Sequence, residues 1–300
     1  SDVVKSLGKL LQRSDTGLLR AVERVLAPGE ARTTRCPLLA VFGPPRSGTT
    51  LTYQLLSQGL DCWFISNLEY VLYRTPVLAR RLAEACTGPY VSDYHSQQGF
   101  VRGANAPAEA NRFWQYWCDL HLFETPPRPD RRRLRRFRHV MNALHARTHR
   151  PFLSGWLAHG FYLDLLADLF PRGVFVRLRR DLLSTAASLL RATRRLGLET
   201  WSLQPADFDP TATASLPERV AEQVYRIERA FDRQAARVGG RVFVADYARV
   251  CAAPRELVGE LAAFARARGV PVALRPAGGL PTSFPQSKAQ AGPDDNPAIV

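Results

Sequence analysis

The feature that most constrains this chain is a change of texture between Pro37 and Gly59. A continuous apolar run, Pro37-Leu-Leu-Ala-Val-Phe42, meets Gly43-Pro-Pro-Arg-Ser-Gly-Thr-Thr50 and then a helical stretch from Leu51 to Gly59. A short apolar run bounded by turn residues reads as a strand buried on both faces. A strand, a glycine-containing loop and a helix in that order open an α/β domain. The same alternation continues downstream. Phe161–Phe170 predicts a helix, Val174–Leu178 a strand and Asp181–Leu190 a helix. Then Glu218–Val238 predicts a helix, Arg241–Ala245 a strand and Arg255–Arg268 a helix. Strands alternating with helices imply an α/β fold, a parallel sheet flanked by helices on both faces.

A chain of 300 residues that is 46% hydrophobic can bury a sizeable core, about three quarters of its unfolded surface. A single domain over residues 1–300 is expected, with N-terminal helices in 1–35, a core in 36–270 and a loop-rich tail in 271–300. No stretch approaches the roughly 20 apolar residues of a membrane span, and no charged-then-apolar leader is visible. The five cysteines are scattered, odd in number and without a C-x-x-C pair. That argues against a disulfide framework or a zinc site and for a reducing, cytoplasmic setting.

The charge is +14, and only three of the 41 basic residues are lysines (Lys5, Lys9 and Lys288). Arginine grips phosphate and sulfate through two parallel hydrogen bonds. Such a balance suits nucleic acid, an acidic lipid surface or a highly anionic small molecule. The arginine-dense segment Thr125–Arg150 keeps an apolar stripe, Leu134, Phe137, Val140, Met141 and Leu144, and so predicts an ordered helix with a basic outer face.

Gly43-x-x-x-x-Gly48-Thr49-Thr50 nearly matches the phosphate-binding Walker A pattern. Thr49 stands where that pattern has its lysine, and a basic residue appears earlier, at Arg46. Gly48 still lets the backbone come close, and successive N–H groups with a helix N-terminus still cradle a phosphate. The lost lysine is the one that serves β- and γ-phosphates, so the loop suits a nucleotide with one 5′-phosphate better than ATP.

The run Pro45-Arg46-Ser47-Gly48-Thr49-Thr50 after a strand resembles the 5′-phosphosulfate loop of sulfotransferases, which use 3′-phosphoadenosine 5′-phosphosulfate (PAPS). A second family signature, an arginine after a strand and a serine eight residues on, is matched by Arg180 and Ser188. Leu182 stands where many relatives have proline. Val244-Ala-Asp-Tyr247 to Pro254 resembles a third, weaker signature. The resemblance spans roughly residues 36 to 265. It implies a P-loop-like, sulfotransferase-like α/β fold and sulfuryl transfer from PAPS to a hydroxyl of an organic acceptor (natural product, glycan or lipid), leaving adenosine 3′,5′-bisphosphate. It further implies that Arg46, Ser47, Gly48, Thr49, Thr50, Arg180, Ser188 and Tyr247 hold the donor. Catalysis would be positioning and electrostatics, with Arg46 neutralising the leaving oxygen and no metal needed.

The acceptor must lose a proton, and two branches of the family suggest different bases. Glu69 lies where tyrosylprotein and heparan-type relatives place a glutamate, and His159 where cytosolic relatives place a histidine. Glu109 and Trp114 are candidates to hold the acceptor, and Lys288 for the 3′-phosphate. The aromatic residues of 61–76 and 112–123 suit either an acceptor pocket or the core. Two other readings stand beside this one. A P-loop kinase or NTPase would need the missing lysine. A basic polyanion-binding module would rest on Arg128–Arg138, although no nucleic-acid reading motif is present and none is expected as a partner.

Overall fold

The apolar run forms strand β1 (Leu38–Phe42), every residue of which is buried. Three further strands follow: β2 (Phe152–Gly155), β3 (Gly173–Arg179) and β4 (Val242–Asp246). They pair in parallel in the order β2-β1-β3-β4, with Leu38 opposite both Phe152 and Gly173, and Phe175 opposite Val242. The computed structural model describes residues 17–96, 99–213, 215–276 and 279–286. Lys288 and the first sixteen residues lie outside them, and the helix expected in 1–35 is described only as α1 (Gly17–Leu26).

Parallel strands need helical crossovers. Between β1 and β2 run α2 (Thr49–Gly59), α3 (Asn67–Val71), α4 (Pro76–Cys86), α5 (Asn111–Cys118) and α6 (Arg131–Thr148). A short 3-10 turn (Leu157–Phe161) and α7 (Leu163–Leu169) lead to β3, then α8 (Leu182–Leu196) and α9 (Leu216–Arg237) lead to β4. The last two helices are α10 (Tyr247–Ala252) and α11 (Pro254–Arg266).

Alternate residues of β1 feed two cores. Leu38, Ala40 and Phe42 pack with Trp114, Phe137 and Phe231 on one face, whereas Leu39 and Val41 pack with Tyr53, Leu56 and Leu261 on the other. The stripe expected on the arginine-rich helix is there: Phe137, Val140, Met141 and Leu144 of α6 are buried. Part of its basic face is engaged within the fold, since Arg135 pairs with Glu30 at 2.9 Å and Arg136 donates to the carbonyls of Ala27 and Gly29. Among the described residues no helix is long and apolar enough to cross a membrane.

The order of the strands decides where a ligand can sit. From β1 the chain crosses to β2 on one side, while from β3 it continues to β4 on the other. The carboxyl ends of β1 and β3 therefore splay their loops apart, the position where open α/β sheets bind ligands.

Candidate active site

The loop leaving β1 enters α2 through two left-handed residues, Arg46 (φ 70°) and Gly48 (φ 97°), with Ser47 between them. Such alternation turns successive N–H groups inward to make an anion-binding hollow at the start of a helix. The left-handed conformation costs a non-glycine residue roughly 1–2 kcal/mol, and Arg46 is held in it from outside. Ser47 N–H donates to Pro44 O at 3.1 Å, and Arg180 Nη1 donates to Arg46 O at 3.0 Å. Glycine is required at position 48 for a second reason. A Cβ there would stand 2.5 Å from the ring of Tyr247. Ser47, expected to hold the donor, is fully buried, with its hydroxyl packed beside Gly43 and outside the residues that line the cavity, so the part of it that can reach a ligand is its place in the backbone of the loop.

Three other elements close on this loop. Arg180, just past β3, lays its guanidinium over the Tyr247 ring, 4.7 Å from the centroid. Tyr247 opens α10, which Asp246 caps by accepting from Ala248 N–H at 2.7 Å. Ser188 on α8 accepts from Arg46 Nε at 3.4 Å. Burial and the neighbouring Arg195 and Arg180 guanidiniums pull Arg46 below the ordinary arginine value. Arg46, Arg180, Arg191 and Arg195 thus gather close enough to act on one another. Elsewhere in the run, Arg177 is spent on the fold: it is buried and pairs with Glu228 and Asp232 of α9.

Arg46, Gly48, Thr49, Thr50, Arg180 and Tyr247 line one cavity of about 380 Å³. Its far wall is apolar, with Leu122, Trp156, Leu157 and Trp201, and Glu109 and Asn111 also face it. Sequence reasoning missed Trp156 and Trp201. The first follows β2, a strand of four residues, too short to stand out from an apolar background; the second sits in an irregular segment with no periodic signal.

Three expected site residues lie elsewhere. Trp114, a candidate to hold the acceptor, is wholly buried in the core, its indole N–H donating to Ser154 Oγ at 3.2 Å. His159, expected as a base, is also wholly buried, with Nε2 2.9 Å from Ser154 Oγ and its ring edge-on to Trp114 at 4.8 Å. Burial pulls its pKa down to about 3, which keeps it neutral. Glu69, the other base candidate, closes a capping box at the start of α3, accepting from Ser66 N–H at 2.8 Å, and pairs with Arg80 at 3.0 Å. It faces a separate hollow beside Trp63 and Arg80. The aromatic residues of 61–76 and 112–123 likewise belong mostly to the core: Trp63, Phe113, Trp114 and Trp117 are buried there.

Cysteines 36, 62, 118 and 251 are buried and unpaired. Burial pushes the Cys36 and Cys62 thiols up to about 12, so they pack as small apolar groups.

A switch-point cleft lined with cations and entered by a glycine loop at a helix N-terminus is a site of the anion-binding class. The particular family follows from comparison: residues 37–268 match the sulfotransferase family, and the chain belongs to it. No curated protein sequence matches the chain. Among solved structures it is similar to sulfotransferase STF1 from Mycobacterium tuberculosis H37Rv, at 17% identity and TM-score 0.50, covering 88% of this chain and 73% of that one. It is also similar to sulfotransferase STF9 from Mycobacterium avium, at 16% identity and TM-score 0.48, covering 83% of this chain and 67% of that one. At 17% identity the likeness to STF1 speaks for the fold alone.

Proposed function

We propose that this protein moves a sulfuryl group from PAPS to a hydroxyl of an organic acceptor. The observation that carries the reading is the convergence of Arg46, Arg180 and Ser188 at the switch point, around a loop that lacks the Walker lysine. The inward-turned backbone of the loop and the close approach allowed by Gly48 fit a 5′-phosphosulfate. Arg180 and Ser188 are assigned to the 3′-phosphate. Arg46 is assigned to the bridging oxygen, where charge builds as the S–O bond breaks. Arginine does not readily lose its proton, so it acts there as a fixed charge and donor, and the crowding of cations preorganises the site for that charge. The apolar wall of Trp156, Leu157 and Trp201 supports an acceptor whose hydroxyl sits on an apolar body, a natural product or lipid in preference to a polyanionic glycan.

Calorimetric titration with adenosine 3′,5′-bisphosphate, with AMP, and with ADP plus magnesium tests the donor. Tight binding of the bisphosphate in the presence of a chelator is expected. Preference for ADP with magnesium would replace this reading with a kinase.

A further inference from the structure

The cavity has one acidic side chain, and the fold presents it deliberately. Ala108 N–H donates to Ile65 O at 2.9 Å, and Tyr53 donates its hydroxyl to Ala108 O at 3.4 Å, which pins the backbone one residue before Glu109. Ala108 and Ala110 are buried on either side, so the Glu109 side chain is the one that projects into the cavity. The facing loop is let in by Gly99, in the left-handed region at φ 92°. A Cβ there would stand 2.9 Å from Glu109 Oε1 and 3.9 Å from Thr50 Oγ1. The carboxyl thus stands beside the first turn of α2, next to the loop that would carry the sulfuryl group. Among the described residues it has no hydrogen bond and no ion pair. Half-buried, it keeps its free oxygens on the cavity side, where a group that enters the cavity can meet them.

We propose that Glu109 is the general base that takes the proton of the acceptor hydroxyl, an inference that rests on the sulfuryl-transfer reading above. As the acceptor oxygen bonds to sulfur, its proton passes to the Glu109 carboxylate. The S–O bond to the 5′-phosphate breaks, and its electron pair stays on the phosphate oxygen beside Arg46. Glu109 releases the proton to solvent when the products leave. Burial alone holds this carboxyl up at about 7, where proton uptake and release are both accessible at neutral pH. The titratable groups packed around it are Tyr53 and Tyr70, both pushed up by burial and neutral, with Arg46, Arg180 and Tyr247 across the cavity. Glu69 and His159, already engaged by Arg80 and Ser154, offer no comparable group to this cavity.

The test uses the full chain and Glu109→Gln. Affinity for adenosine 3′,5′-bisphosphate should stay within about twofold, while transfer of radiolabelled sulfuryl from PAPS to 2-naphthol or to water falls about 10²- to 10⁴-fold, with partial recovery in Glu109→Asp. Infrared difference spectra across pH, which need no acceptor, should show a protonated-carboxyl band titrating near neutrality in the wild type and absent from Glu109→Gln. Transfer by Glu109→Gln within about threefold of wild type would overturn the proposal, and so would the lack of that band; if neither probe accepts sulfuryl, the band decides. Failure of both proteins to bind the bisphosphate would instead overturn the donor reading, and this inference with it.

Discussion

Two glutamates sit in two hollows of this molecule, and their surroundings differ more than their positions. Glu69 is almost wholly buried, yet it accepts from Ser66 N–H and Ser66 Oγ and pairs with Arg80. Glu109 lines the cavity of the glycine loop and, among the described residues, has no such partner. In both, burial raises the carboxyl above its ordinary value, but only at Glu69 do a guanidinium and hydrogen bonds oppose it. The contrast shows how one residue type takes two roles. A satisfied buried carboxylate ties elements together, and an unsatisfied one is held for something that arrives.

The largest effect that would break this comparison is on stability. Glu69→Ala leaves Arg80, half-buried beside Trp63, without its counter-ion and opens the capping box of α3. Removing one partner of a buried pair costs about 3–5 kcal/mol, read as a lower urea midpoint. A midpoint unchanged from wild type would return Glu69 to the list of groups free for catalysis. Next in size, Arg46→Ala should lower PAPS turnover about 10²- to 10³-fold, the usual loss when one charge-stabilising donor goes. Its urea midpoint should hold, because among the described residues the Arg46 side chain donates to Ser188 alone, at a long 3.4 Å.

Glu109→Gln should alter stability in the opposite sense from Glu69→Ala, and only above mildly acidic pH. Burial holds the folded carboxyl up at about 7, above the ordinary carboxylate value of 4.5. The folded state therefore binds the proton more tightly than the unfolded one. Below the unfolded value both states are protonated and nothing is lost. As pH rises from there toward the folded value, the unfolded chain ionises first and stability falls, by about 3 kcal/mol at the plateau. The glutamine variant should match wild type near pH 4 and exceed it near pH 8 in urea unfolding. Equal stability at both would mean that the carboxyl is not held in a low-dielectric position.

Much of the sheet and the loop was legible in the chain. β1, β3 and β4 lie within a residue or two of the runs Pro37–Phe42, Val174–Leu178 and Arg241–Ala245: β1 and β3 are buried on both faces and leave continuous apolar runs, and β4 keeps such a run although it is a half-exposed edge strand. Arg46, Arg180 and Ser188 are brought together as their spacing suggested. The acceptor side was not legible. β2 has four residues and no periodicity, and helices α3 to α5 owe their form to capping and tertiary packing. Sequence distance from the loop pointed to Glu69 and His159, but distance along the chain does not say which face of a helix or turn meets the cavity. What separates Glu69 from Glu109 is Arg80, eleven residues further along on α4, and no local pattern announces that pairing.

The smallest predicted effect sharpens the comparison from the histidine side. Ser154 Oγ accepts from Trp114 Nε1 and lies against His159 Nε2, linking β2, α5 and the 3-10 turn behind the cavity wall. Ser154→Ala would leave an indole N–H and an imidazole nitrogen buried and unpaired, at about 1–3 kcal/mol. If His159 were the base, this change would also shift the pH profile of transfer, because the serine is the partner that orients the ring. With His159 held neutral by burial down to about pH 3 and Glu109 facing the acceptor, the urea midpoint should fall while turnover per folded molecule and its pH profile stay unchanged. A displaced pH profile at unchanged fold would move the proton back to His159 and leave Glu109 as a group that only holds the acceptor.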